Sequence, residues 1–296
     1  MSATRPTVSV VICFLDEERF LGEAVRSVQA QTLTDWELLL VDDGSSDGSS
    51  AQARQWAAQD PARVVCIEHA QHANLGLSAS RNVGIARARG RFIAFLDADD
   101  AWYPRKLEEQ VAILAQHPQA AMVVGASQYW RSWAADASRA DEVVPVGTTL
   151  DAIAEPPRLM LDLYPLGSGA APPPSDLLLR AEAVREVGGF EASFRGPLML
   201  YEDQAFLSKI YRRYPVYVAS ACWDRYRERP GSIVAANTAA GRYWSVRRHF
   251  LQWLRGDLAR TGPATPAVHA ALARALRQAR VQALRDRVRQ LWPAVG

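Results

Sequence analysis

Cysteine is scarce in this chain, with three residues among 296, at positions 13, 66 and 222. So few, so widely spaced, exclude a disulfide framework and a thiolate zinc site, and they point to a reducing compartment. Cys13 and Cys66 fall in strand-like runs and read as small core residues. Long apolar runs are missing too. No stretch reaches the roughly 18 uncharged apolar residues of a membrane-spanning helix. The N-terminus, MSATRPTVSVVI, has neither the apolar run nor the cleavage pattern of a signal peptide. The expectation is a cytoplasmic protein, soluble or peripheral at the inner face of a membrane. A strong charge of one sign is also lacking: the net charge is +2, from 34 Lys and Arg against 32 Asp and Glu, and no nucleic-acid partner is expected. No GxxxxGK[ST] is present, and no GxGxxG follows the first apolar run, which excludes a P-loop and counts against NAD or FAD.

What remains is an ordinary globular composition, 49% hydrophobic and 22% charged, long enough for one large domain or two modest ones. Residues 8–14 (VSVVICF), 36–41 (WELLLV), 63–67 (RVVCI) and 91–96 (RFIAFL) read as strands, and 17–31, 47–58 and 77–89 between them read as helices. Strand and helix in strict alternation predict a largely parallel sheet with right-handed crossovers. Further along, 104–117 reads as a helix, 121–130 as a strand, 132–174 as a long irregular connection of lid or binding-loop type, 175–180 as a strand, 181–187 as a short helix, 200–213 as a helix and 216–219 as a strand. Two helices close the chain, 241–260 and 266–292. The second carries Leu272, Leu276, Leu284, Val288 and Leu291 as its apolar stripe, while six Arg face one Asp over 263–296.

The chemistry gathers where strands end. Residues 97–100 (DADD) follow an apolar strand. Carboxylates at that density repel one another, and they become stable together around a hard divalent cation such as Mg2+ or Mn2+, often shared with substrate phosphates. The alternative is a solvated turn ahead of the helix that Pro104 opens. The loop 42–50 (DDGSSDGSS) offers backbone amides and acceptors to a ligand. The pair Glu202-Asp203 suits either a helix N-terminus or proton abstraction. His69 and His72, in a polar loop, read as surface residues, and His249 as a core histidine.

In combination these motifs are specific. SVVICFLDEERFL, LLLVDDGSSDGSS, NLGLSASRNVGIARARGRFIAFLDADDAWYPRKLEE, REVGGFE, YEDQAF and YRERPGSI, in that order, closely resemble family 2 glycosyltransferases of the GT-A fold over about 7–234. The resemblance implies a Rossmann-like, mostly parallel mixed α/β sheet flanked by helices. It divides the chain into a catalytic domain, 1–235, and a C-terminal helical extension, 236–296. Within the domain, 1–130 would be the nucleotide-sugar-binding half and 131–235 the acceptor and catalytic half. Asp43, beside Asp42, matches the residue that holds a uracil ring. Cys13, Leu15 and Glu17 lie where the family lines its donor pocket, and Asp16 replaces a usual Asn. Arg81 matches a basic residue near the diphosphate. Asp97-Ala98-Asp99 matches the DXD motif, with Asp99, Asp97 and Asp100 as metal ligands and Asp97 and Ala98 also at the donor. Asp203, next to Glu202, matches the catalytic base. Arg227 lies in a stretch near the donor phosphates, and Arg229 stands where a His is often found.

The implied activity is inverting, Mn2+- or Mg2+-dependent transfer of a sugar from a nucleotide donor, UDP-linked by resemblance, to a saccharide or lipid-linked acceptor in bacterial cell-surface polysaccharide synthesis. The competing classes are a non-catalytic nucleotide-sugar-binding scaffold on the same fold and a nucleotidyltransferase. The latter usually has a basic Gly-rich loop after strand one, which LDEERF lacks. The basic C-terminal helix would suit an anionic membrane surface, a solvated face or a second copy of the chain.

Overall fold

The computed structural model describes residues 5–134, 139–261 and 265–291, with side chains as far as Asp286 in the last stretch. Strand β1 (Val8–Phe14) leads through α1 (Leu21–Gln29) to β2 (Trp36–Asp42), and α2 (Ser49–Gln59) leads to β3 (Val64–Glu68). Helix α3 (Leu77–Arg87) returns the chain to β4 (Phe92–Phe95), on the other side of β1. Then follow β5 (Ala101–Trp102), α4 (Lys106–Gln116), β6 (Met122–Trp130), β7 (Glu142–Val144), β8 (Ala152–Ala154), α5 (Arg158–Asp162), β9 (Leu178–Arg180) and α6 (Ala181–Glu186). Helix α7 (Glu202–Tyr211), β10 (Val216–Arg227), α8 (Ile233–Ala239), α9 (Tyr243–Thr261) and α10 (Pro266–Leu291) complete the fold.

The sheet runs β3-β2-β1-β4-β9-β6-β10-β5, with β7 beside β6 and β8 beside β10. It is parallel from β3 to β4 and again between β6 and β10, and β9 is antiparallel to both its neighbours. Every residue of β1 and β2 is buried, as expected of strands with helices on both faces. Alternation divides them. Val11, Cys13, Leu39, Val41 and Phe95 join one apolar core with residues of α6, α7, α9 and α10, while Val10, Ile12, Leu38, Leu40 and Phe92 join another with α1 and α4. The last two helices therefore share a core with the first strands.

Several elements depart from expectation. Helix α1 starts at Leu21 rather than 17, because Glu17 pairs with Arg229 and Glu18 accepts the Gly48 amide at 3.0 Å. Strand β10 continues to Arg227, well past 219. Register shifts between Val218 and Cys222, and between Cys222 and Asp224, break the two-residue period that marks a strand in sequence. The connection 132–174 contains β7, β8 and α5 in its described part. Helix α8 was not anticipated. In α10 the buried stripe is Val268, Leu272, Leu276 and Ala279, with Leu284 64% exposed; the side chains of Val288 and Leu291 lie outside the described residues. His249 is exposed, not a core residue. Among the described residues, no helix is long and apolar enough to cross a membrane.

A buried polar group secures the acidic loop from below. Lys106 is fully buried and donates to Gln110 Oε1 and to the Asp176 carbonyl, both at 2.7 Å. Burial lowers its ammonium to about 8, against the pull of Asp176 and Asp224. The adjacent Ser175 hydroxyl donates to Asp100 and accepts the Asp97 amide, so Lys106 anchors the turn that shapes the loop. Lys106→Met leaves Asp176 and Asp224 buried without a cation. It is expected to cost about 3 kcal/mol or more in denaturant unfolding; a change within experimental error would remove this anchor from the account.

Candidate active site

Parallel strands carry their carboxyl ends to one edge, so the loops after β1, β2 and β4 emerge together. The loop after β2 is built on Asp42. Its carboxylate is buried and accepts the amides of Gly44 at 3.1 Å and Ser45 at 2.8 Å, together with the Ser50 hydroxyl. Gly44 sits at φ 88°, and a Cβ there would stand 2.8 Å from the His72 carbonyl oxygen, so only glycine fits. Asp16 fastens this loop to the one after β1 by accepting the amides of Ser46 at 2.6 Å and Asp47 at 3.2 Å. An acceptor is all those contacts use. Asp43 ties in the approach to α3: Oδ1 accepts from Leu75 N at 2.8 Å, Gly76 N at 3.0 Å and Ser80 Oγ at 3.1 Å. Beneath it His69, expected at the surface, is buried, with Nε2 2.8 Å from Ser80 Oγ and 3.5 Å from Asp43 Oδ1. Its loop composition concealed this; the buried serines of LSASR were the available signal.

The centre of the site is Arg81, 2% exposed on α3. One guanidinium nitrogen donates to Asp97 Oδ1 and another to Glu202 Oε1, and the group lies 5.0 Å from the centre of the Phe190 ring. Burial works against its charge, but Glu202 and Asp97 outweigh it and keep it protonated. Gly84, one turn further along α3, lets the helix approach β1, since a Cβ there would meet Val11 Cγ1 at 2.4 Å.

Glu202 is 4% exposed, and its second oxygen, Oε2, is buried without a hydrogen-bond partner. Burial pushes its carboxyl up to about 7, with Arg81 opposing and Asp203 adding to the rise. Asp203 is half-buried and bonded to its neighbour, accepting Gln204 N at 2.7 Å and Gln204 Nε2 at 3.2 Å. Burial raises it to about 6 against those two bonds. Arg81, Asp97, Glu202 and Asp203 line one cleft of about 490 Å3, which Tyr164 and Tyr243 also line. Tyr243 belongs to α9 and its hydroxyl lies 2.9 Å from that of Tyr164; sequence reasoning missed both, because neither falls in a recognisable motif.

The other expected residues are placed differently. Asp99 is bound by Arg229, whose Nε lies 2.7 Å from Oδ2 and whose guanidinium also pairs with Glu17. Burial pushes Asp99 up to about 6 against the pull of Arg229. Asp100, the third residue expected as a metal ligand, is turned inward from its loop. It is 1% exposed, takes the Ser175 hydroxyl at 2.6 Å and the Arg227 amide at 2.8 Å, and is held well above the carboxylate range by burial and by Asp99. Such a carboxyl serves the loop's own architecture. Arg227 is likewise committed internally, to Glu23 and to the Asp99 carbonyl at 2.5 Å each, with its guanidinium 4.2 Å from the Trp130 ring centre. Ala98 is buried and Leu15 is 40% exposed. Cys13 is buried, and burial pushes its thiol far above the range in which it reacts. Among the described residues no three His, Cys, Asp or Glu side chains are gathered as a ready metal cage.

The fold has counterparts among solved structures. The chain superposes on S. aureus TarS 1–349 in complex with UDP-GlcNAc with a TM-score of 0.65 at 19% identity, over 91% of this chain and 71% of that one. It superposes on the mannosyltransferase PcManGT from Pyrobaculum calidifontis, in complex with GDP-Man and Mn2+, with a TM-score of 0.61 at 18% identity, over 99% and 77%. The fold is that of GT-A glycosyltransferases. Residues 9–157 match the profile of glycosyl transferase family 2, and the chain belongs to that family. The putative glycosyltransferase EpsE of Bacillus subtilis (strain 168) is 41% identical over 112 residues, 38% of this chain and 40% of EpsE, so the chain spans about two fifths of that relative's length.

Because Asp203 stands at about 6 in the folded chain against an ordinary 3.8, ionising it costs the folded state stability as pH rises across that interval. Asp203→Asn removes the cost. The variant is expected to melt higher than the parent above about pH 6 and to lose the advantage below about pH 4. Equal melting curves at all pH values would show that the carboxylate is not strained by burial.

Proposed function

We propose that the chain transfers a sugar from a nucleotide sugar, UDP-linked, to a hydroxyl of a saccharide or lipid-linked acceptor, with inversion, in cell-surface polysaccharide synthesis. The observation that supports it most is the placing of Asp203, raised to about 6, in the same cleft as Asp97 and Arg81. A base of that strength is deprotonated at neutral pH and remains strong enough to accept a proton. Asp203 takes the proton from the acceptor hydroxyl as its oxygen bonds to the anomeric carbon. The bond from that carbon to the diphosphate breaks, and its electron pair leaves with the nucleoside diphosphate. Glu202, buried and held by Arg81, positions rather than reacts, and Arg81 supplies fixed positive charge beside the departing group. Asp43 is assigned to the nucleobase, with Cys13, Leu15, Glu17, Asp42, Ala98 and Arg227 shaping the donor side through the loops they hold.

A divalent cation, Mn2+ or Mg2+, fits this donor set. Asp97 and Asp99 are hard oxygen donors on one short loop, burial and the neighbouring carboxylates of Asp97 and Glu17 raise Asp99 against the pull of Arg229, and substrate phosphates commonly complete such a site. When bound, the ion would neutralise charge growing on the diphosphate. Arg229 stands on Asp99 in this structure, so it must yield that carboxylate to the ion. The exposed Arg274, Arg277, Arg280 and Arg285 of α10 would favour a peripheral position at the cytoplasmic face of an anionic membrane.

Asp203→Asn should bind UDP as the parent does while transfer falls about 100-fold or more, and the parent's transfer rate should rise through about pH 6. Unchanged transfer would remove Asp203 from the chemistry. Titration of Mn2+ in the presence of UDP, followed by the electron paramagnetic resonance signal of free Mn2+, should show Asp99→Asn binding the ion about tenfold more weakly. Equal binding would place the metal elsewhere.

A further inference from the structure

A second depression adjoins the cleft. It encloses about 980 Å3 and takes its walls from the loop after β1, the ends of β6 and β10, and the segments that follow them. Its lining is unusual in charge. Five guanidinium groups, those of Arg19, Arg131, Arg139, Arg227 and Arg229, face one carboxylate, Glu228. Arg131, Arg227 and Arg229 are bound to acids. Arg19 and Arg139 are exposed, and no ion pair engages either among the described residues. Arg19 is held by aromatic faces instead, its guanidinium carbon 5.0 Å from the Phe20 ring centre and 5.3 Å from that of Trp133.

The aromatic side chains of the groove are also fixed. Trp133 donates its indole N–H to the Glu228 carbonyl at 2.8 Å and meets Phe20 edge-on, with 5.6 Å between ring centres. Tyr129 and Tyr226 lie 5.2 Å apart, and both line the groove and the cleft. A flat ring offers an apolar face to the C–H side of a sugar, and a guanidinium recognises a carboxylate or phosphate through paired hydrogen bonds. Here both kinds of group share one trough, and its Tyr129 and Tyr226 also line the cleft that holds Asp203.

We propose that this groove binds the acceptor, that the acceptor is an anionic saccharide, and that Arg19 and Arg139 hold its carboxylate or phosphate while Trp133, Tyr129 and Tyr226 carry its rings. The inference rests on the transferase reading and adds to it the charge and path of the acceptor. A chain lying along the groove reaches the cleft at Tyr129 and Tyr226 and presents a terminal hydroxyl to Asp203.

Calorimetric titration of the full chain tests this with trigalacturonate, geranyl diphosphate and uncharged maltotriose. An anionic ligand should bind more tightly than maltotriose and lose affinity as salt is added. Arg19→Glu and Arg139→Glu, at exposed positions whose folding circular dichroism can confirm, should each weaken the anion by about tenfold or more, as expected for loss of a hydrogen bond to a charged group. Binding of trigalacturonate places the charge on the sugar, whereas binding of geranyl diphosphate alone places it on a lipid carrier's diphosphate. Maltotriose binding as tightly as either anion, or both variants retaining the parent's anion affinity, overturns the proposal. A thermal shift with UDP on the same preparation separates the two readings. Anion binding without a UDP response keeps the groove and removes the nucleotide-sugar donor; a UDP response without anion preference does the reverse.

Discussion

The structure depends on one buried cation shared between two distant carboxylates. Arg81 comes from α3, Asp97 from the loop after β4 and Glu202 from the first turn of α7; Arg81 and Glu202 are buried, while Asp97 stays 28% exposed at the wall of the cleft. An uncompensated guanidinium would be costly at such a position. Asp97 balances the Arg81 charge, and Glu202, brought in by α7, ties that pair to the later part of the chain. That tie brings Asp203 to the cleft that Asp97 lines.

The carboxylates around Arg81 are graded by their surroundings. Asp42, Asp43 and Asp100 accept backbone amides and hydroxyls, Asp43 from Leu75, Gly76 and Ser80 at the start of α3. Glu202 is sealed against Arg81, with one oxygen unpartnered. Asp203 faces the cleft with only Gln204 for company, and Asp99 is balanced by Arg229. Residues of one type thus stand in separate surroundings, within loops, against Arg81, or at the cleft wall, and burial distinguishes them where residue identity does not.

Much of this was legible in sequence because its signals are local. The apolar runs of β1, β2 and β4 announce strands buried on both faces, and the Asp-rich loops after them follow from the parallel topology. The acids of α7 sit at a helix N-terminus, as expected. What escaped was non-local. Asp100 is adjacent to Asp99 but is turned inward by Ser175 and Arg227, contacts that span 75 and 127 residues. Arg227 is enclosed by Glu23, Phe20 and Trp130, partners that no short-range pattern places beside it. Tyr243 comes from a helix outside every recognisable motif, and β10 hides its length behind bulges. No short-range pattern encodes a partner so far along the chain.

The central claim is that the cleft closed by Arg81 holds a nucleotide sugar between Asp97 and Asp203. A crystal structure of the chain soaked with UDP-GlcNAc and Mn2+ addresses it directly. The account predicts density for the diphosphate beside Asp97 and Asp99, with the anomeric carbon facing Asp203. A nucleotide bound on another surface, or a sugar turned away from Asp203, would contradict it.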